Sequence, residues 1–511
     1  MGRELTLVDP DVERTASAKR TDTAILVAIA GVVALVHVCT NNRYGLHRDE
    51  LQTLSDALHM EWGFVAYPPL TPFVERVSMV VFGHWLIGLR MASVIAQAAV
   101  IVVTGLMARE LGGRRLAQVA AAVATALAPL ALFEGTEFQY TTFDYLWWVL
   151  IAYFVIRLLK SDNPRWCLAI GAVIGIGLMT KYTMAFYVAG IVAGAVLTRA
   201  RKYLASGWFW GGIAIAFVIC LPNVIWQWRH DFISYHFLHY IHGRDVRQGR
   251  GDGFWTGQIR VDTNFFALPL WIGGLICFLR SERYRMLAWM YLIPLAIFAA
   301  TKARFYYVGA AYPMLLAMGA AAGERWVAKL SRGWRWAIEG ALFASIGLAA
   351  LYIAAIILPL APSGPLKEFA LKNNGDLREE LGWDDLVREV ASVRDALPAE
   401  QRASMGVLVG NYGEMGALEI MGPAYGLPTP ISLTNSGWLR SFPEHPPRTL
   451  IVVGWSLHEV EGALTNCRLA GHNGNSLGIE NEESRDHAEI FVCGGPRKGW
   501  KQFWDDEQRF G

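Results

Sequence analysis

Two adjacent carboxylates, Asp49 and Glu50, stand in the polar stretch Arg43–Leu51, which directly follows the first long apolar segment of the chain. An ionised carboxylate at a membrane boundary is costly to desolvate unless it is paired or used. A carboxylate in an ordered loop can act as a general base that takes the proton of a hydroxyl as this hydroxyl attacks a sugar. We therefore predict a catalytic pair in which Asp49 is the base and Glu50 positions it or pairs with a cation. The alternative is that both are solvated loop charges, neutralised by Arg48 or His47.

Basic side chains lie at the predicted outer ends of several apolar segments. Lys181 stands at a tight break between two such segments, and Lys302 and Arg304 follow a third. Each of them alone could snorkel to the lipid headgroups, as Lys and Arg at helix ends commonly do. Several cations at one membrane face can instead form a clamp that stabilises the charge of a leaving phosphate. The candidate phosphate-binding residues are therefore Lys181, Lys302, Arg304 and, as a weaker member, Arg90.

An acidic residue, Asp144, lies about one turn inside a predicted membrane span. An ionisable group within a span is a functional hypothesis by default, and the alternative is a structural partner for one of the cations. Glu134 and Glu137, in the adjoining loop, are expected to be solvated. The candidate substrate-binding residues are Asp144, Tyr67, Tyr306 and His47.

Several histidines invite comparison with a metal site. His236, His239 and His242 recur at a spacing that drifts round a helix, and no carboxylate is spaced with them. Packing at the membrane interface is therefore the favoured interpretation of these three residues. A divalent cation held partly by Asp49 or Glu50 is left open, and no other cofactor is expected.

The composition is that of a membrane protein. The 511 residues are 54% hydrophobic and only 18% charged, with a mean hydropathy of +0.30, whereas soluble domains carry about 25% charged residues. The 20 Trp and 18 Tyr suit two aromatic belts at the membrane–water interfaces. A net charge of +2 is too balanced to suggest a nucleic-acid partner, so membrane lipid is the expected environment.

Eleven apolar segments are candidates for membrane spans, each approaching the roughly 20 residues that a crossing requires. They cover residues 24–40, 87–108, 116–133, 141–158, 166–180, 184–198, 207–225, 262–279, 286–301, 306–322 and 337–359. With the N-terminus in the cytoplasm, every inner loop carries basic residues, as the positive-inside rule requires. We therefore predict an α-helical polytopic protein of the bacterial inner membrane, with the C-terminal region in the periplasm.

Three parts of the chain follow from this topology. They are a cytoplasmic tail over residues 1–23, a transmembrane domain over 24–359, and a small periplasmic α/β domain over 360–511. The outer loop 41–86 carries the candidate base. Within that loop, Phe73, Val77, Val80 and Val81 fall on one helical face, which indicates a helix that lies in the membrane interface.

The C-terminal region changes to a polar composition after a linker rich in Pro and Gly. A helix is predicted near Trp383–Leu397, and strands are predicted at 406–409, 449–453 and 489–492. The stretch Gly410–Gly413 is expected to be a turn. Cys467 and Cys493 lie in this region and could form a disulfide if it is outside the cytoplasm.

An ordered series of short motifs runs along the chain. It comprises Arg48-Asp49-Glu50-Leu51, Trp62-Gly63-Phe64, Tyr67-Pro68-Pro69-Leu70, Leu89-Arg90, Ala108-Arg109-Glu110-Leu111-Gly112-Gly113, Phe143-Asp144, Gly177-Leu178-Met179-Thr180-Lys181-Tyr182, Lys302-Ala303-Arg304-Phe305-Tyr306, Tyr412-Gly413-Glu414 and Asn435-Ser436. With this series the chain resembles the bacterial protein mannosyltransferase-like glycosyltransferases of the GT-C type. That family includes the dolichyl-phosphate-mannose-protein mannosyltransferases and the lipid A aminoarabinose transferase.

The resemblance implies an inverting glycosyltransferase with its active site at the outer membrane face. Its donor would be a monosaccharide linked to polyprenyl phosphate, and its acceptor an envelope glycolipid, a polysaccharide or a protein. Asp49 would be the base. One carboxylate would suffice for inversion, whereas retaining glycosidases need two close carboxylates in different roles. Lys181 and Lys302 would contact the lipid phosphate. The acidic–basic pair that the aminoarabinose transferase carries near its interface helix is not evident beside Pro68-Pro69, so its metal contacts do not carry over.

Two other classes of function remain open. A secondary transporter or a lipid-linked sugar flippase would place ionisable residues near the bilayer midplane, with broken helices in paired halves. The break at Lys181 has no counterpart in the other half of the chain. A non-catalytic binding scaffold on the same fold is the third interpretation.

Overall fold

The computed structural model of the protein describes residues 16–511. They form two compact units, which we describe separately: unit 1 contains residues 16–41, 90–226 and 242–358, and unit 2 contains 42–89, 227–241 and 359–511. In chain order the helices are α1 Ala16–Thr40, α2 Arg48–Leu58, α3 Leu70–Phe82, α4 Leu86–Glu110, α5 Arg115–Ala126, α6 Pro129–Phe133, α7 Tyr140–Ser161, α8 Trp166–Leu178, α9 Met184–Leu197, α10 Gly207–Arg229, α11 Ile233–Arg247, α12 Phe254–Arg260, α13 Leu268–Arg280, α14 Arg285–Ala300, α15 Tyr312–Val327, α16 Arg332–Ile357, α17 Pro365–Asn373, α18 Asp376–Glu379, α19 Trp383–Asp395, α20 Ala399–Ala403, α21 Tyr412–Met421, α22 Asn435–Arg440, α23 Leu457–Ala463, α24 Glu482–Asp486 and α25 Trp500–Asp506. The strands are β1 Met405–Val409, β2 Ile431–Ser432, β3 Thr449–Val453, β4 Arg468–His472 and β5 Glu489–Cys493.

Unit 1 is built from the long apolar helices. Within residues 16–511, six helices are long and apolar enough to cross a membrane, or up to eight if each of two bent pairs is one span. The six are Ala18–Thr40, Leu86–Glu110, Tyr140–Ser161, Gly207–Arg229, Phe305–Val327 and Arg332–Ile357. Each of the eleven predicted segments contains helix, but several of these helices are short or bent. The protein is thus a multi-pass membrane protein, and the count of eleven stays a prediction.

Small residues allow the helices of unit 1 to approach closely. A Cβ on Gly274 of α13 would lie 2.0 Å from the carbonyl oxygen of Leu315, and one on Gly319 of α15 would lie 1.7 Å from that of Leu270. Glycine is therefore required at both positions of this crossing. Close backbone contact at small residues is the usual way in which helices associate in lipid, where burial of apolar surface supplies little driving force.

Unit 2 contains a five-stranded sheet in the order β2-β1-β3-β5-β4. The pairs of β1 with β2 and with β3 are parallel, and β5 runs antiparallel to β3 and β4. Side chains alternate between two buried faces, since successive residues of a strand point to opposite sides. Val407, Ile451 and Val492 pack with α19 and α21, whereas Leu408 and Val452 pack with Trp455 and its neighbours.

The α/β character predicted for the C-terminal region is confirmed. The helix Trp383–Asp395 and the strands β1, β3 and β5 lie where the sequence predicts them. The expected turn at Gly410–Gly413 is wrong, because Asn411 caps the N-terminus of α21 and the helix begins at Tyr412. Cys467 and Cys493 are joined by a disulfide.

The loop between α1 and α4 contains the helices α2 and α3. Helix α3 exposes the apolar face that the sequence predicts, with Val80 77% and Val81 62% accessible. Helix α2 packs against the C-terminal part of unit 2, since Leu51 belongs to the same buried cluster as residues of the helices α19 and α21. Residues 48–58 are therefore held by the C-terminal part of the chain.

Candidate active site

Asp49 lies in the first turn of α2, and the nearby residues His47 and Glu50 cap that helix. The N-cap residue His47 accepts a hydrogen bond from the Asp49 amide at Nδ1, 3.2 Å, and its own amide donates to Glu50 Oε2, 2.8 Å. This reciprocal capping box satisfies amides that a helix N-terminus otherwise leaves unpaired. Glu50 is 1% exposed. The side chains of His47 and Glu50 thus fix the start of the helix that carries Asp49.

The carboxylate of Asp49 is partly exposed and its two oxygens differ. Oδ1 accepts a hydrogen bond of 2.9 Å from the hydroxyl of Tyr412, the first residue of α21. Oδ2 has no hydrogen-bond donor among the residues that the structure describes. One oxygen is therefore held by the protein and the other is available to a ligand.

Arg48 lies over the face of the Tyr412 ring. Its guanidinium lies 5.0 Å from the centre of the Tyr412 ring, a distance at which a cation and an aromatic face attract each other. Arg48 also forms an ion pair with Glu482 and lies 3.9 Å from Glu483, both in α24. The guanidinium is thereby anchored on the C-terminal domain and keeps the tyrosine ring in place.

Two glycines let α21 reach α2. A Cβ on Gly416 would lie 2.4 Å from the carbonyl oxygen of Leu51, and one on Gly413 would lie 2.8 Å from Trp383 and 3.1 Å from Cβ of Arg48. A larger residue at Gly416 would require movement of the backbone, and one at Gly413 would require movement of the Trp383 ring. The approach that brings Tyr412 to Asp49 thus depends on these two positions.

Glu414 supports the N-terminus of α21. Its Oε2 accepts hydrogen bonds from the amides of Gly410, 2.9 Å, and Asn411, 3.2 Å, while Oε1 is buried and has no hydrogen-bond partner within residues 16–511. Burial, together with the negative charge of Glu483, raises the pKa of Glu414 to about 8. Burial likewise raises the pKa of Glu483. The carboxyl groups of Glu414 and Glu483, which lie close to the Asp49–Tyr412 pair, therefore ionise less readily than exposed glutamates.

The hydroxyl of Tyr67, a candidate substrate-binding residue, is already hydrogen-bonded within the protein. It is 4% exposed, and its hydroxyl donates to Oδ2 of Asp56 at 2.7 Å. Asp56 in turn pairs with Arg440 of α22, with 2.6 Å between Oδ1 and Nη1. This buried network ties the C-terminal end of α2 to the C-terminal domain. A direct role of Tyr67 in binding substrate stays a prediction.

Unit 1 contains a second cluster, around Lys181. The residue lies at the break between α8 and α9 and is 9% exposed. Its Nζ lies 5.0 Å, 5.8 Å and 4.4 Å from the ring centres of Tyr140, Tyr306 and Tyr307. Lys181 also interacts electrostatically with Asp144 and with the loop residue Glu134. Lys181 is therefore held inside the protein rather than extended toward the headgroups.

The acids of this cluster are held by hydrogen bonds. Asp144 is 6% exposed and accepts from Trp148 Nε1 at 3.1 Å and from Thr183 at 3.5 Å. The expectation that Glu134 and Glu137 are solvated is wrong, since they are 6% and 1% exposed. Glu134 accepts a hydrogen bond of 2.8 Å from Thr142.

Arg304 joins the same cluster, whereas the other two predicted cations do not. Arg304 forms a two-pronged ion pair with Asp245, with Nε–Oδ2 at 2.7 Å and Nη2–Oδ1 at 3.0 Å, and it donates to the hydroxyl of Tyr306 at 3.3 Å. Lys302 is exposed on a turn with a φ of 51°. Arg90 is fully buried and donates to the carbonyl of Asn41 at 2.8 Å.

The histidines of α11 show ring contacts and no metal geometry. Tyr235 lies against the rings of both His236 and His239. Across the described part of the chain, no three side chains of His, Cys, Asp or Glu are placed to hold a metal ion. The question of a divalent cation at Asp49 or Glu50 is not decided by this arrangement.

Sequence reasoning missed several members of both clusters. The motif series contains Tyr412 without a role, and the sequence assigns no role to Tyr140, Tyr307 or Asp245. Tyr412 begins a helix shortly after the strand β1 ends. Asp245 lies in the arginine-rich stretch 226–262. An acidic residue among so many arginines is expected to form an ion pair, and this pattern could have drawn attention to it.

Known proteins resemble this chain in sequence and in fold. Residues 66–226 match the family model described as Dolichyl-phosphate-mannose-protein mannosyltransferase. The crystal structure of ArnT from Cupriavidus metallidurans in the apo state is similar to this chain with a TM-score of 0.54 at 14% identity, over 93% of this chain and 98% of that one. The resemblance predicted from the motif series is thus confirmed, and the protein has the fold of the GT-C glycosyltransferases.

Two curated relatives have names that specify a sugar and a lipid. Undecaprenyl phosphate-alpha-4-amino-4-deoxy-L-arabinose arabinosyl transferase of Pseudomonas paraeruginosa is 29% identical over 307 residues, which are 55% of this chain and 53% of the relative. Lipid A galacturonosyltransferase RgtD of Rhizobium johnstonii is 24% identical over 359 residues, which are 68% of this chain and 72% of the relative. The chain spans about half the length of the arabinosyl transferases that it matches.

Proposed function

We propose that this protein is an inverting membrane glycosyltransferase that moves a monosaccharide from a polyprenyl-phosphate-linked donor to a glycolipid of the bacterial envelope. The names of the curated relatives support this choice, since one includes undecaprenyl phosphate and the other lipid A. The GT-C fold is compatible with it. The names of these two curated relatives mention neither a polysaccharide nor a protein acceptor, whereas the family model that matches residues 66–226 is described as a protein mannosyltransferase.

Asp49 supplies the base in the proposed reaction. Its Oδ2 takes the proton of an acceptor hydroxyl while that oxygen forms a bond to the anomeric carbon of the donor sugar. The bond from this carbon to the phosphate oxygen breaks, and the phosphate leaves with the bonding electrons. The products are a glycoside of opposite anomeric configuration, polyprenyl phosphate and a protonated Asp49, which then loses its proton to solvent. A second carboxylate as general acid is not required, because the phosphate leaves as a stable anion, unlike the alcohol that must be protonated in glycoside hydrolysis.

The observation that carries this assignment is the asymmetry of the Asp49 carboxylate. One oxygen is fixed by Tyr412 at 2.9 Å, and the other has no donor among the residues described by the structure. A base needs an oxygen with a free lone pair, and the hydrogen bond from Tyr412 to Oδ1 holds the carboxylate while it leaves Oδ2 in that state. Glu50 is buried in the capping box and serves as a positioning residue.

Unit 1 supplies the candidates for binding the donor phosphate. We assign this role first to Lys181 and Arg304, because they lie with several tyrosine hydroxyls in one cluster of unit 1. A clamp of this kind stabilises the negative charge that develops on a leaving phosphate. Asp144 would hold Lys181 in place. Lys302 is retained as a peripheral contact.

The proposed location is the bacterial inner membrane, with the C-terminal domain in the periplasm. The disulfide between Cys467 and Cys493 supports the orientation, since disulfides persist in the periplasm and are rare in the cytoplasm. Polyprenyl-linked donors and lipid acceptors are both membrane lipids. A multi-pass protein with exposed apolar helices therefore meets both within its own environment.

Mass spectrometry of envelope glycolipids tests the proposal. Extracts from cells that contain the full-length protein are compared with extracts from cells that lack it. We expect one glycolipid to gain the mass of a single monosaccharide only when the protein is present, and the anomeric configuration, determined by NMR, to be opposite to that of the donor. Unchanged glycolipids combined with movement of the donor across the membrane would instead identify a flippase.

A further inference from the structure

Tyr412 contacts Asp49 across 363 residues of sequence, and this contact has a consequence for the reaction. We propose that Tyr412 is a positioning residue for the base: its hydroxyl holds Oδ1 of Asp49, so that Oδ2 is directed toward the acceptor hydroxyl. The C-terminal domain thereby supplies part of the catalytic apparatus. This inference rests on the proposed function.

The tyrosine is placed too firmly for the contact to be incidental. Tyr412 is the first residue of α21, whose N-terminus is fixed by the reciprocal hydrogen bonds of Asn411 and Glu414. Its ring lies under Arg48, and Arg48 is anchored by Glu482 and Glu483. The hydroxyl therefore has little freedom to move away from Asp49. A carboxylate on the first turn of a helix is otherwise free to rotate.

The hydroxyl acts as a donor, not as an acid. Burial raises the pKa of Tyr412 well above its usual value, and the neighbouring Asp49 charge adds to this effect while Arg48 opposes it. The proton accordingly stays on the tyrosine at neutral pH. A neutral donor stabilises the ionised form of the carboxylate that accepts from it. Loss of the hydroxyl should thus loosen Asp49 and remove the donor that stabilises its ionised form.

Other charged groups lie on the elements around the Asp49–Tyr412 pair, and among the described residues none of them donates a hydrogen bond to the Asp49 carboxylate. They are Arg48 and Glu50 on α2, the N-cap residue His47, Glu414 on α21, and Glu482 and Glu483 on α24. Arg48 is paired with the two glutamates of α24, and Glu50 accepts from His47. A change at Tyr412 leaves each of these pairs in place.

The test is Tyr412→Phe in the purified full-length protein, with Tyr425→Phe as a matched control. Tyr425 lies in the same domain, at the end of a short 3-10 turn, and outside the Asp49 cluster. For Tyr412→Phe we expect about a tenfold or larger loss of kcat with an unchanged KM for the donor. The acidic limb of the pH profile of kcat/KM should move up by about one pH unit. Tyr425→Phe should match wild type in both respects.

A second variant keeps the test valid if the phenylalanine protein is unstable. Tyr412→3-fluorotyrosine retains the ring and makes the hydroxyl a stronger donor, so the acidic limb should move to lower pH. Wild-type values for kcat and for the acidic limb in both variants would overturn the positioning role. An inactive wild-type protein would overturn the proposed function itself, and the two failures are thus distinguishable.

Discussion

The buried carboxyl of Glu414 gives the stability of unit 2 a specific dependence on pH. Glu414 is fully buried, its Oε1 has no hydrogen-bond partner within residues 16–511, and its pKa is raised from 4.5 to about 8 by burial and by Glu483. Between these two values the folded protein binds a proton that the unfolded chain has lost. The free energy of unfolding must therefore decrease as the pH rises from 4.5 to 8.

The size of this effect follows from the two pKa values. Each pH unit within the interval costs about 1.4 kcal/mol, so the penalty is below about 1 kcal/mol at pH 5 and roughly 4 kcal/mol at pH 8. Glu414→Gln removes the titration and keeps a side-chain oxygen for the capping box, in which Gln is as acceptable as Glu. Between pH 5 and pH 8, the free energy of unfolding of the variant should increase by about 3 kcal/mol relative to that of wild type.

Hydrogen exchange of the backbone amides in β1 and β3 measures this gain locally, without requiring the whole protein to unfold in one step. Wild type and variant are compared at the same pH, so that intrinsic exchange rates cancel. We expect the ratio of their protection factors to rise by roughly a hundredfold or more between pH 5 and pH 8. A ratio that stays constant over this range would refute the reasoning.

Glu419→Gln is the matched control on the same helix. Burial would raise the pKa of Glu419, but hydrogen bonds from His59 and Ser55 and the charge of Arg440 hold it below its usual value. The ionised form of Glu419 thus stabilises the fold above pH 4.5, and this contribution is lost as the pH falls through the folded pKa. The control variant should be less protected than wild type at pH 8, the opposite of Glu414→Gln.

Two further substitutions test other parts of the site. Lys181→Ala removes the cation of the unit 1 cluster and should raise the donor KM by about ten- to a hundredfold, measured in a steady-state transfer assay; the exposed Lys329→Ala serves as control, and an unchanged donor KM would leave Lys181 as a structural residue. Gly416→Ala places a Cβ 2.4 Å from the carbonyl oxygen of Leu51 and should cost about 1–3 kcal/mol of stability, seen as a lower melting temperature and slower transfer. Gly462→Ala, where a Cβ meets nothing within 4 Å, should change neither.

The sequence predicts elements well where one local signal dominates. The run of β-branched residues at Thr449–Val453 predicted β3 with its observed bounds. The edge strand β4 was missed, because Arg468–His472 is polar and largely accessible to solvent, and so lacks the apolar alternation of a buried strand. The two-residue β2 is too short to leave a pattern. Edge strands are defined by their partner and not by their own composition.

The sequence is enough to propose Asp49 as the base, because an ionised carboxylate at a membrane boundary is costly unless it is paired or used. The residue that holds it could not be found in this way. Tyr412 is an ordinary tyrosine after a glycine-containing stretch, and its role depends on the packing of Gly416 against Leu51. Burial of Glu134 was misjudged for a similar reason: a loop residue is expected to be solvated, unless tertiary contacts such as that with Thr142 enclose it.

Asp49→Asn in the solubilised full-length protein tests the assignment of the base most directly. Asparagine keeps the shape of the side chain and an oxygen for the Tyr412 hydroxyl, and it removes the basic carboxylate. Asp384→Asn is the matched control, since Asp384 is the second residue of α19 as Asp49 is of α2, and it is exposed. We predict at least a hundredfold loss of sugar transfer for Asp49→Asn and wild-type transfer for Asp384→Asn. Wild-type turnover by Asp49→Asn would contradict the assignment.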